Sequence, residues 1–151
     1  MNIDRDSFFM AEALKEAQKA FNKGEVPVGC VAVESDTIIS RAGNLREKDP
    51  TGHAEMIVLR DTGAVIGNRV LDGITIYVTL EPCPMCMSAI MIARVGRLVF
   101  GASDPKLGAV YSRWNLPNDP SFGHSIRIAS GILESECMDI LNRFFEVARK
   151  R

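Results

Sequence analysis

Two short segments of the chain carry side chains that could bind and use a metal ion. His53-Ala54-Glu55 offers an imidazole and a carboxylate, and Cys83-Pro84-Met85-Cys86 offers two thiols. Zinc in proteins prefers imidazole nitrogen and thiolate sulfur in a tetrahedral arrangement, and a catalytic zinc leaves one of its four positions to water. His53, Cys83 and Cys86 supply three ligands, so the sequence predicts a zinc site with one open position.

Glu55 lies two residues from His53, close enough to reach a water on the zinc without being a ligand itself. Zinc makes its bound water acidic near neutral pH, and a neighbouring carboxylate can take the proton and pass it to a leaving group. The sequence therefore predicts Glu55 as the general acid and base. A purely structural zinc site needs a fourth protein ligand, and Cys30, His124 and Cys137 stand in no ligand-like spacing.

The spacing of the two cysteines fits the start of a helix. Residues three apart share one helical face, and Pro84 is tolerated in the first turn because its missing N–H has no partner there. A helix N-terminus also favours both sulfurs as thiolates. A lone C-x-x-C pattern is compatible with a redox or structural role. H-x-E followed by P-C-x-x-C, however, is the signature of zinc-dependent nucleobase deaminases.

Length and composition indicate an ordinary globular protein. We expect the 151 residues to form a single domain, 1–151, with one sizeable core. No apolar run reaches membrane-spanning length, so we expect no membrane association. The N-terminus is unlike a signal peptide and the sparse cysteines fit a reducing compartment, so we expect a cytoplasmic protein. The net charge of −1 gives no support for a nucleic-acid partner, which must be argued from local charge.

The hydrophobic pattern predicts an α/β fold that places the motifs at one end of a sheet. Helices are expected over 6–22, 53–63, 84–94 and 134–149, and strands over 30–33, 37–40, 74–79, 97–101 and 125–128. Ser35-Asp36 predicts a hairpin, and the strand–helix–strand run from 74 to 101 predicts a parallel crossover. The expected fold is a three-layer α/β/α arrangement around a central mixed five-stranded sheet.

The remaining segments carry weaker predictions. Residues 64–73 and 115–123 are expected to be loops, and 106–110 could form a short strand. The last helix is expected to turn Met138, Leu141 and Phe145 inward, whereas Cys30 and Cys137 are expected in the core. Its basic end could complement the helix dipole or contact a phosphate backbone; the residues concerned are Arg143, Arg149, Lys150 and Arg151.

The chain resembles the bacterial tRNA-specific adenosine deaminase family, within the cytidine deaminase-like superfamily. The resemblance covers nearly the whole chain. It is strongest over residues 24–29 (GEVPVG), 49–56 (DPTGHAEM), 77–86 (YVTLEPCPMC) and 100–106 (FGASDPK), and it continues through 131–133 and 144–145.

This resemblance implies that the protein deaminates the wobble adenosine of a tRNA anticodon loop to inosine and releases ammonia. It implies a homodimer with one zinc per subunit, held by His53, Cys83 and Cys86, with Glu55 moving protons. Asn44 is either a turn residue or a base-reading amide, and the resemblance favours the second role. The implied substrate contacts are Asn44, Val26, Pro82 and Phe145.

Two departures from the family pattern leave the substrate open. Gly52 stands where the family usually carries Ala, and Gly123-His124-Ser125 replaces a typical Asn-His; both segments are expected to face the substrate. One alternative is therefore a deaminase of a free nucleobase or nucleoside of the guanine, cytosine or adenine type, since the zinc chemistry is the same. Another is a catalytically silent zinc-binding subunit, against which the intact Glu55 argues.

Overall fold

The computed structural model describes residues 3–150, with side chains from residue 4 onward. Arg151, part of the predicted basic end, therefore lies outside the described residues. In chain order the elements are α1 (Ile3–Asn22), β1 (Gly29–Glu34), β2 (Thr37–Gly43), α2 (Ala54–Ile66), β3 (Thr75–Leu80), α3 (Pro84–Ile92), β4 (Arg97–Ala102), β5 (Arg127–Ser130) and α4 (Glu134–Arg149).

The five strands form one mixed sheet in the order β2-β1-β3-β4-β5. β1 pairs antiparallel with β2 and β3, whereas β3–β4 and β4–β5 are parallel. Ser35 and Asp36 have φ values of 48° and 66°, as a two-residue hairpin turn with positive φ at both positions requires. The predicted hairpin, parallel crossover and five-stranded sheet are thus confirmed.

Alternating side chains of the sheet build a separate core on each face. On one face, residues such as Cys30, Ile76 and Phe100 belong to a cluster with α2 and α3 residues, among them Val58 and Ile90. The other face packs against α1 and α4, with Val31, Tyr77 and Val99 in a cluster that includes Phe9, Ala13 and Cys137. Helices therefore cover both faces, which confirms the three-layer fold and the core positions of Cys30 and Cys137.

Helix α2 is longer than predicted. The sequence suggested an end near Gly63, but the helix continues to Ile66 and ends at Gly67, whose φ is 72° and whose N–H donates to the Gly63 carbonyl. A glycine inside a helix costs only about 1 kcal/mol relative to alanine, so packing of the helix overrides it. Gly67 ends α2 because it adopts the left-handed conformation that most residues avoid.

Two further predictions were wrong. Residues 106–110 form turns and not a strand, because the Val110 N–H donates to the carboxylate of Glu81 and the Ala109 N–H to the Pro82 carbonyl. In α4 the buried residues are Cys137, Ile140 and Leu141, whereas Met138 and Phe145 are 38% and 46% exposed. The segment 115–123 also contains two short 3₁₀ helices, Leu116–Asn118 and Pro120–Phe122.

Candidate active site

The N-termini of α2 and α3 bring the predicted ligands together. His53 is the N-cap of α2 and Cys83 the N-cap of α3, both with extended backbone, and Cys86 lies in the first turn of α3. The candidate ligand atoms of these three residues lie within 4.8 Å of one another. His53 Nδ1 and Cys83 Sγ are 3.7 Å apart. One nitrogen and two sulfurs in this arrangement fit a zinc ion.

The two cysteines differ in their electrostatics. A hydrogen bond with Cys86 lowers the pKa of Cys83 to about 5, assisted by backbone N–H groups at the helix start and by His53. The same hydrogen bond, together with burial, raises the pKa of Cys86. The hydrogen bond between the two sulfurs thus shifts the two thiol pKa values in opposite directions, and Cys83 is the more acidic of the pair.

Glu55 lies in the first turn of α2 and is buried, with 4% of its surface exposed. Burial raises the pKa of its carboxyl to about 7, and the charge of Cys83 acts in the same direction. A carboxyl with a pKa near neutrality can both accept and return a proton at physiological pH. Cys30 contributes no such group, because burial holds the pKa of its thiol well above the usual range.

A cleft of 490 Å³ opens beside these residues. Its lining includes Glu55 together with three of the four predicted substrate contacts, Val26, Asn44 and Phe145. Pro82 is buried and does not belong to the lining, and its carbonyl accepts the N–H of Ala109 at 2.8 Å. The structure therefore does not bring the Pro82 ring to the cleft surface.

Asn44 has a structural contact that the sequence did not reveal. Its side-chain Oδ1 accepts the backbone N–H of Ala54 at 2.8 Å, which satisfies a donor at the start of α2. Since this contact fixes the amide orientation, the Asn44 NH₂ group is left without a hydrogen-bond partner among residues 3–150. Asn44 thus supports the helix that carries Glu55 and retains donors for a ligand in the cleft.

Two buried carboxylates that no sequence motif singled out for a role fix the loops around the cleft. Glu25 accepts the N–H groups of Arg46 and Glu47 at 3.0 and 3.1 Å. Glu81 accepts backbone and hydroxyl donors from residues 104–112. Although burial alone raises the pKa of Glu81, the hydrogen bonds from Ser112 and the backbone hold it below its usual value. A charged residue at the end of an apolar strand was the available signal.

The two departures from the family pattern have different structural settings. Gly52 lies in the loop before His53, where its carbonyl accepts the Leu45 N–H, and a Cβ at position 52 would lie 2.0 Å from the Leu45 carbonyl oxygen. The 123–125 segment lies instead near the C-terminal end of α3. There, His124 Nε2 contacts the Val95 carbonyl, and the Gly123 carbonyl accepts a hydrogen bond from Arg94. Within the part of the chain that the structure describes, none of the three residues 123–125 belongs to the lining of the 490 Å³ cleft.

The basic end of α4 is largely engaged on the helix surface. Arg143 pairs with Asp139 and its guanidinium lies 5.8 Å from the centroid of the Phe21 ring. Lys150 pairs with Glu146 at 3.5 Å. This geometry favours the helix-stabilising role for Arg143 and Lys150 over a free phosphate contact.

The comparisons with known proteins agree with this geometry. A family model for the zinc-binding region of cytidine and deoxycytidylate deaminases matches residues 3–102. The chain is 47% identical to the tRNA-specific adenosine deaminase of Bacillus subtilis (strain 168), covering 99% of this chain and 94% of that protein. None of the helices within residues 3–150 is long and apolar enough to cross a membrane.

Solved structures show the same fold. A tRNA:A34 deaminase structure, from work on A-to-I editing at the wobble position of transfer RNA, superposes with a TM-score of 0.86 at 44% identity; the match covers 89% of this chain and 99% of that one. Guanine deaminase from Bacillus subtilis gives a TM-score of 0.61 at 34% identity, over 68% of this chain and 66% of that one. The protein therefore belongs to the zinc-dependent deaminase family defined by the cytidine and deoxycytidylate deaminase zinc-binding region.

Proposed function

We propose that this protein converts the wobble adenosine of a tRNA anticodon loop to inosine by hydrolytic deamination, with release of ammonia. The observation that carries the proposal is the position of buried Glu55 beside His53, Cys83 and Cys86, at a cleft of 490 Å³. That volume lies within the range of small-molecule sites and leaves room for a base and its sugar. Relatives named as tRNA-specific adenosine deaminases, similar over nearly the whole chain, support the choice of substrate.

In this proposal His53, Cys83 and Cys86 hold one zinc ion. Zinc supplies the acidity that makes a water molecule reactive near neutral pH. Glu55 takes one proton from the attacking water and delivers it to the ring nitrogen of the base. It then takes the remaining proton of the hydroxyl that has added to the base carbon and delivers it to the amino group, which leaves as ammonia while the carbonyl forms. Its pKa of about 7 suits both directions of transfer.

The cleft walls would orient the base. The free NH₂ group of Asn44 can donate to a ring nitrogen, while Val26 and Val28 offer an apolar surface to the purine face. Phe145, 46% exposed at the cleft, can stack on a base. Bases of an anticodon loop are already splayed, so extruding one into the cleft costs little.

Local charge supports an RNA substrate despite the net charge of −1. Arg46 and Lys106 both line the cleft, and neither forms an ion pair with another residue in the described part of the chain. They can therefore approach phosphates of a bound RNA without first giving up a protein partner.

We also infer a homodimer in the cytoplasm. Exposed apolar side chains near α3 and after β4 offer a surface for a second copy, with Ile92 71%, Tyr111 57% and Trp114 43% exposed. The four free cysteines fit a reducing compartment.

An ammonia-release assay on the zinc-loaded protein tests the activity. The substrate is an anticodon stem-loop with adenosine at the wobble position, and the matched control is the same stem-loop with guanosine there. Free guanine, cytosine, adenine and their nucleosides are assayed in parallel. We expect inosine in the adenosine stem-loop and no turnover of the free compounds.

The second candidate function is deamination of a free base, which the structural likeness to guanine deaminase at 34% identity favours. Turnover of a free base together with an inert stem-loop would establish this function and overturn the RNA assignment. A zinc-loaded protein inert on every compound would instead indicate a silent subunit.

A further inference from the structure

Glu81 has the most extensive hydrogen-bonding of any side chain at the cleft. Its Oε2 accepts the backbone N–H groups of Val110, Tyr111 and Ser112 at 3.1, 2.9 and 3.0 Å. Its Oε1 accepts the Asp104 N–H at 3.0 Å and the Ser112 hydroxyl at 2.5 Å. A carboxylate has about four lone-pair sites, so five donors saturate it and leave none for a proton from the substrate.

The chain between Asp104 and Ser112 is wrapped closely around this carboxylate. The Gly108 N–H donates to the Asp104 carbonyl, and a Cβ at position 108 would lie 2.3 Å from Glu81 Cδ. The segment contains no helix or strand, so its backbone donors have no ladder to satisfy them. Glu81 supplies the acceptors that secondary structure supplies elsewhere.

The same segment forms one wall of the cleft. We define the 103–107 wall as Ser103, Asp104, Pro105, Lys106 and Leu107, all of which line the cleft. Glu81 lies two residues before Cys83, and its own N–H donates to the Ala102 carbonyl, immediately before the wall. A single turn of chain after β3 therefore carries both a metal ligand and the group that fixes the wall.

We propose that Glu81 is a positioning residue, which holds the 103–107 wall at the distance from the metal centre that substrate binding requires. The inference rests on the proposed function, because it assigns the wall to substrate contact. It assigns no proton transfer to Glu81. The Glu81 carboxylate acts on the substrate only through the loop it holds.

The variant Glu81→Gln distinguishes the contact at Asp104 from the contacts of residues 110–112, because the amide nitrogen replaces only one of the two carboxylate oxygens. If the amide nitrogen replaced Oε2, it would face three N–H donors; if it replaced Oε1, it would face the Asp104 N–H and the Ser112 hydroxyl. The hydroxyl can rotate and accept a hydrogen bond, so the second orientation is preferred. The variant therefore retains the donors of residues 110–112 and releases the Asp104 N–H at the wall.

The test compares wild type, Glu81→Gln and the matched control Ser112→Ala, which removes one donor but leaves the Asp104 contact intact. Zinc content, amide hydrogen exchange at Asp104 and steady-state kinetics on the adenosine stem-loop are measured for each. For Glu81→Gln we expect full zinc content and faster amide exchange at Asp104. We also expect KM to rise by about 10- to 100-fold with a smaller change in kcat, because misplacement of a binding group by about 1 Å has effects of that size. Ser112→Ala is expected to keep KM and kcat within about threefold of wild type, because the charge-assisted hydrogen bond that it removes lies outside the 103–107 wall and the Asp104 contact remains.

Three outcomes would overturn the inference. Unchanged exchange at Asp104 in Glu81→Gln would mean that Glu81 does not hold the wall. A lowered melting temperature with unchanged KM and kcat would mean that it only stabilises the fold, and loss of zinc would mean that it acts through Cys83. If wild type is inert on the stem-loop but active on a free base, the proposed function fails, and the same KM comparison with that base still decides the role of Glu81.

Discussion

At the scale of single residues, the position of Glu55 next to the ligand set is the central feature. Glu55 and His53 lie at the start of the same helix, so the spacing H-x-E predicts their proximity from local geometry alone. The sequence alone does not reveal the pKa of the Glu55 carboxyl. Its pKa of about 7 results mainly from burial by residues of other elements.

We predict that Glu55→Ala retains zinc and loses turnover. The metal ligands are untouched, whereas removal of a general acid–base lowers rates by about 10²- to 10⁴-fold. Single-turnover rates and metal analysis measure the two effects separately. Asp61→Asn, which neutralises an exposed acid on the same helix, is the control and should behave as wild type. Wild-type turnover in zinc-loaded Glu55→Ala would contradict the assigned role.

We predict that replacing glycine by alanine has opposite effects on the free energy of unfolding at positions 52 and 63. A Cβ at position 52 would lie 2.0 Å from the Leu45 carbonyl, whereas at position 63 the nearest atom would be 3.4 Å away. We expect Gly52→Ala to lower the free energy of unfolding by about 1–3 kcal/mol through overpacking. Gly63→Ala, inside α2, should raise it by about 0.5–1 kcal/mol.

Urea unfolding of both variants at neutral pH measures these differences. Because Gly52 immediately precedes His53, Gly52→Ala should also weaken zinc binding, whereas Gly63→Ala should not. Equal stability of the two variants would show that the loop before α2 relaxes more freely than its contacts suggest.

At the scale of elements, local patterns predicted more than distant contacts did. The helix predicted over 6–22, which is α1, and the Ser35-Asp36 hairpin depend on neighbours in sequence, and both are confirmed. The strand predicted over 106–110 is absent because the backbone of this segment bonds to Glu81, which is distant in sequence. Glu81 precedes Val110 by 29 residues and Ser112 by 31 residues. Periodicity carries no information about such a contact.

Of the three α4 residues expected to face inward, Leu141 is confirmed, whereas Met138 and Phe145 were predicted incorrectly for a related reason. Met138 and Phe145 belong to the apolar side of the helix, and a hydrophobic pattern cannot distinguish a residue that faces a core from one that faces a cleft. The structure places both at the cleft and fills the core with Cys137, Ile140 and Leu141. The exposed apolar residues on the cleft side of α4 are thus functional candidates and not failures of packing.

Phe21 of α1 supports the end of α4 that carries Phe145. The Phe21 and Phe144 rings are 5.6 Å apart, and the Phe144 and Phe145 rings are also 5.6 Å apart, both pairs being edge-to-face. Such pairs contribute about 0.5–1.5 kcal/mol each. The position of Phe145 in the cleft therefore depends on a residue outside it.

We predict that Phe21→Leu raises KM for the stem-loop while leaving zinc content and kcat unchanged. Loss of the Phe21–Phe144 contact, about 1 kcal/mol, corresponds to a change of about five- to tenfold if it is transmitted fully to Phe145. The control is Phe8→Leu, on the same helix but 60% exposed. Identical kinetics in the two variants would show that Phe145 is held independently of α1.

At the scale of the whole molecule, α1 is tied to the sheet by a buried polar network. Asp6 accepts hydrogen bonds from the Tyr77 hydroxyl on β3 and from two guanidinium nitrogens of Arg97 on β4, at 2.7–2.8 Å. Although burial alone would raise the pKa of Asp6, the hydrogen bonds from Arg97 and Tyr77 hold it below its usual value of 3.8. The network thus stabilises the fold as long as Asp6 is ionised.

We predict that Asp6→Asn lowers the free energy of unfolding at neutral pH. As the pH falls, this free energy should decrease less in the variant than in wild type. A carboxyl with a depressed folded-state pKa contributes its stabilisation above the unfolded pKa, near 3.9, and loses it as the pH falls through the lower folded pKa. The difference in free energy of unfolding should therefore be on the order of 3 kcal/mol at pH 7 and shrink below about pH 4. Urea titrations from pH 7 to pH 3 measure it, with exposed Asp4→Asn as control. A difference independent of pH would mean that packing, not charge, links α1 to the sheet.

The same network constrains how the chain is made on the ribosome. Arg97 follows Asp6 by 91 residues, so at about 5–20 residues per second the carboxylate waits roughly 5–20 s for its partner. Within that interval β2, β1 and β3 are already complete and can pair as an antiparallel half-sheet. One edge of β3 then stays open until α3 and β4 emerge, and an open strand edge invites pairing with other chains. For the nascent protein, the interval between the emergence of β3 and that of β4 is therefore one in which misassembly with other chains can occur.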